Sequence, residues 1–322
     1  MSVVDAVLIG RNEVARLERC LASVQGQVRR IIYVDSGSRD RSVANAHAAG
    51  VEVVELTDDA PFSAARARNA GFHALMQDDP PDFVQFIDGD CSLEPGWIAA
   101  GRDHLTASPE LGLVTGWRSE IHRDASLYNA LCDFEWHRPA GPIDACGGDM
   151  MVRTKGFQMI GGFDPQMIAG EDEEFCVRLR KSGWLLERLP LEMTRHDAAM
   201  LRFGQWWSRA VRSGHAFAQV GHRHPDYFGS EIKRVALYGL ILPLVAVVGG
   251  FFSGWIVAAV LAAYLLSYIR TIQGLTRQNL PFSEAARHAS LLTLSKFPNL
   301  IGMAIYARRY LSRSAMRIIE YK

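Results

Sequence analysis

Between Asp5 and His196, short apolar runs alternate with longer stretches whose apolar positions recur every three or four residues. "DAVLIG" reads as a strand, and "EVARLERCLASV" after it as an amphipathic helix. "RRIIYVD" is a second strand, "DRSVANAHAAG" a helix closed by glycine, and "VEVVEL" a third strand. "PFSAARARNAGFHALMQ" opens on proline and continues as a helix, while "DFVQFID" and "LGLVTGW" are the fourth and fifth strands. Alternation of this kind predicts an α/β domain with a mainly parallel sheet flanked by helices. Ligands of such sheets bind beyond the carboxyl ends of the strands, where Asp35 and Asp88 fall.

The pattern then loosens. "CGGDMMVRTKGFQMIGGFDP" is glycine-rich and is expected to loop beneath a site. "EDEEFCVRLRKSG" is a helix stopped at Gly183, a further strand ends near Leu191, and "MLRFGQWWSRAVRSGHAFAQV" is an amphipathic helix. Polarity changes again at Val235. From there to Ile269 the chain carries no charge, which a bilayer requires and a soluble core rarely does. The run is too long for one straight helix, and Pro243, Gly249, Gly250 and Gly254 interrupt it, so a helical hairpin is predicted, short-spanning or re-entrant. Lys233 and Arg234 precede it and Arg270 and Arg277 follow, which assigns both ends to the cytoplasmic side of the cell membrane. The segment "ASLLTLSKFPNLIGMAIYA" has basic flanks on both sides and reads as an interfacial or dipping helix, with a third span as the alternative. The soluble alternative for the whole tail is a helical interface within an oligomer.

Composition narrows the class. The formal net charge of the 322 residues is zero, which argues against a nucleic-acid binder. Five scattered cysteines without a C-x-x-C favour reduced thiols in a cytosolic compartment. "MSVVDAVLIGRNE" lacks a basic leader and is read as a strand, not a signal peptide.

The candidate chemistry begins at Asp88-Gly89-Asp90. Two carboxylates after a strand repel each other unless a hard divalent cation, Mg²⁺ or Mn²⁺, lies between them. The plain alternative is a solvated turn. Other polar residues fall at matching places: Arg11, Asn12 and Glu13 after the first strand, Asp35 after the second, and Arg66, Arg68 and Asn69 on a helix. Glu171 and Asp172 open a later helix, where acids also simply favour the dipole. His196 follows the strand that ends near Leu191.

In their order and spacing these motifs resemble the family-2 glycosyltransferases, inverting enzymes of the GT-A (Rossmann-like) fold, over about Val7–His196. The resemblance rests on "NE", "VDSGSRDRS", "ARNAG", "DGD", "IGGFD" and "GEDEEFCVRLRKSG". It implies that Glu13 and Asp35 contact the base and ribose of a nucleotide sugar, with Arg11, Arg66, Asn69, Gly148 and Arg209 in the same binding set. It implies Asp90 as direct ligand of Mn²⁺ or Mg²⁺, Asp88 near the ribose or metal-bound water, and His196 as a further ligand. Asp172 would be the general base, with Glu171 and Trp206 toward the acceptor. "QWWSRAVRSGH" is similar to the QxxRW motif of processive members through Gln205 and Arg209, but Ala210 stands where that motif has tryptophan, which puts processive polymerisation in doubt.

The implied division is a GT-A catalytic domain over residues 1–198, an amphipathic interface helix and connector over 199–234, and membrane-associated helices over 235–322. The implied reaction moves a sugar from a nucleotide donor, most often a uridine one in this family, to a membrane-linked lipid or glycan acceptor, as in polysaccharide biosynthesis. Such a displacement needs one base for the acceptor hydroxyl and one cation for the departing diphosphate. A sugar-nucleotidyltransferase would want a glycine- and lysine-rich loop after the first strand, and "GRNEVARLE" has one glycine there and no lysine. Against a non-catalytic glycan-binding scaffold stands the full set of Glu13, Asp35, Asp90 and Asp172.

Overall fold

The computed structural model describes residues 2–319. The first elements follow the apolar pattern: β1 (Val4–Gly10), α1 (Val14–Val24), β2 (Ile31–Asp35), α2 (Ser42–Ala48), β3 (Glu52–Glu55), α3 (Ala64–Leu75) and β4 (Phe83–Asp88). Next come β5 (Cys91–Leu93), α4 (Trp97–Ala107), β6 (Leu111–Glu120), α5 (Leu127–Trp136), β7 (Gly141–Pro142), β8 (Met150–Arg153), α6 (Thr154–Met159), α7 (Glu171–Lys181) and β9 (Leu185–His196). The remainder is helical: α8 (Phe203–Arg223), α9 (Gly229–Val235), a π-helical stretch over Ala236–Ile241, α10 (Leu242–Gly250), α11 (Gly254–Thr276), α12 (Phe282–Leu294) and α13 (Lys296–Leu311).

The strands form one mixed sheet in the order β3-β2-β1-β4-β8-β6-β9-β5, with β7 also on β9. The first four strands are parallel, as their alternation with helices predicts. Strands β6 and β9 pair in parallel and keep the same sense, which leaves the sheet mainly parallel; β8 runs antiparallel to both β4 and β6, and β5 and β7 run antiparallel to β9. Several elements escape the apolar pattern, three of them for a plain physical reason. Strand β5 has only three residues, and β8 and α6 lie inside the glycine-rich segment expected to be loop, where four and six residues are too few to show a period.

Both faces of the sheet are covered. Leu8, Leu17, Tyr33, Ile87 and Trp97 pack on one side, and Val7, Phe86, Phe157, Phe163 and Phe175 on the other. The phenylalanines stack, Phe72 on Phe157 at 3.9 Å and Phe163 on Phe175 at 4.4 Å between centroids. Burying each such side chain contributes about 1.5–3 kcal/mol.

The chain divides into two compact units. One comprises residues up to Ala125 with Cys132–Ala199 and Met316–Ile318, and the other Ser126–Leu131 with Met200–Ala315. The connector α8–α9 therefore belongs to the same unit as the apolar helices. Within that unit α8 and α13 touch backbone to backbone: a β-carbon at Gly302 would lie 1.9 Å from the Val211 carbonyl oxygen, and one at Gly214 2.0 Å from that of Asn299. Two helices, Gly229–Gly250 and Gly254–Thr276, are long and apolar enough to cross a membrane.

Candidate active site

Parallel register sets the first row of polar groups. Gly10 aligns with Asp35 on β2, and Ile9 with Asp88 on β4, so the carboxyl ends of the three strands present Asp35, Gly10 and Asp88 side by side. The Arg11–Glu13 turn is latched to the loop after β2. Asn12, at φ 57°, donates its N–H to Ser38 Oγ at 2.8 Å and accepts from the Arg39 N–H at 2.8 Å, while the Glu13 N–H reaches Ser42 Oγ at 3.0 Å. Glu13 pairs with Arg16 at 2.5 Å, and the Arg11 guanidinium lies 5.7 Å from the Phe62 ring centroid. Asp35 is buried, accepting from the Ser38 N–H at 2.7 Å and the Tyr33 hydroxyl at 3.0 Å.

A chain of alternating charges runs from there. Glu171 Oε1 lies 2.9 Å from Arg68 Nη1, and Arg68 Nη2 lies 2.7 Å from Asp88 Oδ1. Arg118 Nη2 lies 3.5 Å from Asp88 Oδ2 and 2.7 Å from Asp149 Oδ2. Asp149 also accepts from the Asp88 N–H at 3.0 Å and the Thr194 hydroxyl at 2.8 Å. Burial alone would push Asp88 up, but Arg68 and then Arg118 outweigh it and hold the carboxyl below its ordinary value.

Asp90 points the other way, to β9. Its Oδ2 lies 3.2 Å from His196 Nε2, and the His196 Nδ1 lies 3.6 Å from Glu120 Oε2. Trp136 meets the imidazole edge-to-face at 4.7 Å. Asp90, His196 and Cys91 bring ligand atoms within 4.8 Å of one another, a grouping that could hold a cation. Cys91 is a poor member of the set. Burial, then the carboxylate of Asp149, keep its thiol protonated far above its usual range. The carboxylate and the imidazole remain, a nitrogen–oxygen pair suited to Mn²⁺ or another divalent ion.

Asp172 opens α7 after Gly170, which takes the left-handed conformation at φ 69°. Its Oδ1 accepts from the Glu173 N–H at 2.9 Å. Burial, and next the Glu171 carboxylate, push its pKa up to about 6 against the pull of Arg68. Two adjacent glycines border it and the charge chain. A β-carbon at Gly147 would lie 3.9 Å from Asp172 Oδ2, and one at Gly148 would lie 3.4 Å from Asp88 Oδ1 and 2.0 Å from Arg68 Nη2. No side chain fits at Gly148 while Arg68 holds its place.

Several of the residues that the resemblance assigns to the site have partners within the protein. Arg66 is tied to the loop before α3, donating to the Thr57 carbonyl at 2.9 Å and the Ala60 carbonyl at 2.6 Å and pairing with Asp59. Arg68 is the α3 arginine that reaches the acids. Asn69 clamps Phe163 in both directions, with Nδ2 to its carbonyl at 2.7 Å and Oδ1 from its N–H at 2.9 Å. Glu171 is buried on Arg68 and presents no open face. Trp206 and Arg209 lie on α8 in the second unit, where Trp206 is buried against Tyr128 and Phe203.

Sequence reasoning missed Arg118, Asp149 and Glu120. A signal existed in each case: charges that end or precede apolar runs, in "LVTGWRSE" and "GGDMMV", where no turn requires them.

Residues 5–143 match the model of glycosyl transferase family 2, and residues 127–201 that of the N-terminal domain of galactosyltransferase. The chain carries a family 2 glycosyltransferase domain. It is 29% identical over 239 residues to the pre-mycofactocin glycosyltransferase of Mycobacterium tuberculosis, covering 69% of this chain and 48% of that protein. The chain thus spans about half the length of the curated relatives it matches first. The mannosyltransferase PcManGT from Pyrobaculum calidifontis, solved with GDP-Man and Mn²⁺, superposes with a TM-score of 0.59 at 16% identity, over 93% of this chain and 87% of that one. Residues 1–349 of S. aureus TarS give 0.50 at 12%, over 97% and 92%. These two likenesses establish the GT-A fold of the glycosyltransferase domain.

Proposed function

We infer that the chain is an inverting glycosyltransferase that uses a nucleoside-diphosphate sugar, most simply a UDP-sugar, and a divalent metal. The observation that carries this reading is the pair of glycines with Asp172 on one side and Asp88 with Arg68 on the other. Adjacent glycines thus border both the candidate base and the acids at the strand ends, and neither carries a side chain there.

Asp172 is the general base. A carboxylate with a pKa near 6 is ionised at neutral pH yet basic enough to draw a proton from an acceptor hydroxyl as the hydroxyl oxygen attacks the anomeric carbon. The new bond forms on the face opposite the diphosphate, so configuration inverts. Asp90 and His196 would hold the cation, which would supply positive charge for the leaving diphosphate. Asp88, kept ionised by its two arginines, accepts hydroxyls of the ribose. Glu13, Asp35 and Arg11 line the nucleoside end. The complex of the mannosyltransferase neighbour with GDP-Man and Mn²⁺ supports a metal-assisted reading. The exposed apolar helices of the second unit support an acceptor held at a membrane, a lipid-linked saccharide or a growing glycan, with the catalytic unit on the cytoplasmic side.

The test is a donor screen with UDP- and GDP-sugars in Mn²⁺, Mg²⁺ and chelator, read as nucleotide release and anomeric configuration of the product. One donor should give metal-dependent nucleoside diphosphate and an inverted linkage. Release of pyrophosphate, or of nothing from any donor, overturns the reading.

A further inference from the structure

Helices Gly229–Gly250 and Gly254–Thr276 form a hairpin joined at Phe251–Ser253. Phe251, Phe252 and Trp255 at its turn are 86%, 83% and 85% exposed, and Leu244, Val247, Leu261 and Leu265 along the legs are each more than half exposed. A soluble chain does not leave such a surface to water, so something apolar covers it.

The hairpin is a built unit. A β-carbon at Gly249 would lie 2.5 Å from Ile256 Cγ2 and one at Gly250 3.2 Å from Val257 Cγ2, so the glycines let the legs close at the turn. Lower down, the Tyr264 hydroxyl donates to the Tyr238 carbonyl across the legs, and the two rings meet edge-on at 5.8 Å. That carbonyl lies in the π-helical stretch just before Pro243, where the regular ladder is broken and an outside donor is needed.

Apart from Gly254, the turn keeps its backbone donors to itself. The N–H of Phe251 bonds the Val248 carbonyl, those of Phe252 and Ser253 the Gly249 carbonyl, that of Trp255 the Ser253 hydroxyl, and that of Ile256 the Ser253 carbonyl. Hydrocarbon demands this accounting, whereas water would satisfy loose donors at once. The turn is also uncharged and aromatic. The cations are all at the other end: exposed Lys233 and Arg234 ahead of one leg, exposed Arg270 and Arg277 after the other.

Length decides the depth. Each leg, Val235–Gly250 and Gly254–Ile269, has 16 uncharged residues. At a rise of about 1.5 Å per residue that is roughly 24 Å, against a hydrocarbon core of about 30 Å. We propose that the hairpin inserts into an anionic bilayer from one face only, with the turn Phe251–Trp255 held inside the hydrocarbon and never reaching water on the far side. Lipid is favoured over a second copy of the chain because the cations ring one end alone, as a headgroup boundary requires and a helix–helix interface does not.

Full-length protein with Ser253→Cys, reconstituted into phosphatidylcholine–phosphatidylglycerol vesicles, tests this. The five native cysteines are buried, so a membrane-impermeant maleimide reads the new thiol. The turn should stay unlabelled with reagent outside, inside or on both sides, and become labelled several-fold more once detergent dissolves the vesicles. Gln278→Cys, exposed just past the basic end of the second leg, should label in intact vesicles. Labelling of Ser253→Cys from the side opposite Gln278→Cys means a full crossing and overturns the proposal. So does protein that fails to float with vesicles, or a lipid-free dimer that protects the turn by itself. None of these readouts depends on sugar transfer.

Discussion

Arg68 Nη2 stands 2.7 Å from Asp88 Oδ1, and the same guanidinium, 2% exposed, reaches Glu171 with its other end. One buried cation thus joins the carboxyl end of β4 to the start of α7, the two elements that carry the candidate metal acids and the candidate base. It acts as a positioning residue.

Removing that cation leaves two buried acids facing each other. Arg68→Met should cost about 3–5 kcal/mol of stability, the usual penalty for breaking a buried pair from one side. Arg68→Lys, with no fork to bridge two carboxylates, should fold but lose activity. Gly148→Ala should reproduce the lysine phenotype, because its β-carbon falls where Arg68 Nη2 lies. Thermal melts alongside kcat and KM separate the two effects, and a Gly148→Ala enzyme at full activity would refute the bridge.

Asp172 should impose an acid limb on the rate. With its pKa pushed up to about 6, transfer rises as pH climbs through that value and then levels. Asp172→Asn should remove the limb and lower kcat by about 10²–10⁴-fold while nucleotide binding persists. The sign for stability is the reverse. A folded pKa above the unfolded one, about 3.9, means stability is lost as pH rises from about 4 to about 6. The asparagine variant should therefore melt no lower than the parent at neutral pH.

Asp90→Asn and His196→Ala should each weaken Mn²⁺ retention by more than about tenfold, a loss that even an outer-shell partner can cause. Electron paramagnetic resonance of free Mn²⁺ in a titration reads this without any turnover. Cys91→Ser should change retention less, since a soft thiol is a poor ligand for Mn²⁺ beside a carboxylate and an imidazole.

His215 on α8 is fully buried, with neither ring nitrogen hydrogen-bonded. Burial, then Arg309 and Arg212, push it down to about 4. Because the folded state resists the proton, its stability is complete above the unfolded value of about 6.5 and declines as pH falls toward 4. The loss should amount to roughly 2–3 kcal/mol by pH 4. In detergent, denaturant melts of His215→Leu should lose that acid slope, and an unchanged slope would assign it elsewhere.

The parallel half of the sheet was legible because each strand carries its own apolar run, and because parallel register forces Asp35 and Asp88 to the same edge. The antiparallel strands were not, since β5 and β8 are shorter than any readable period. That Arg68 faces the buried acids was readable as well. Arg68 shares the stripe of Gly71, Phe72 and Leu75 at spacings of three, four and seven, whereas Arg66 lies off it. Asp149 and Arg118 belong to residues brought together only by the pairing of β6 with β8 and β9, which no local pattern encodes. The hairpin was visible in the uncharged run, but its closure needed Tyr264 to find Tyr238, a match across 26 positions.

The Asn69 clamp on Phe163 has a mechanical consequence. A carboxamide that both gives to and takes from the backbone of one residue works as a stitch between α3 and the loop leading into α7. Any opening of the cleft must carry that loop and α3 together as a single jaw, so the hinge has to lie outside the stitched pair.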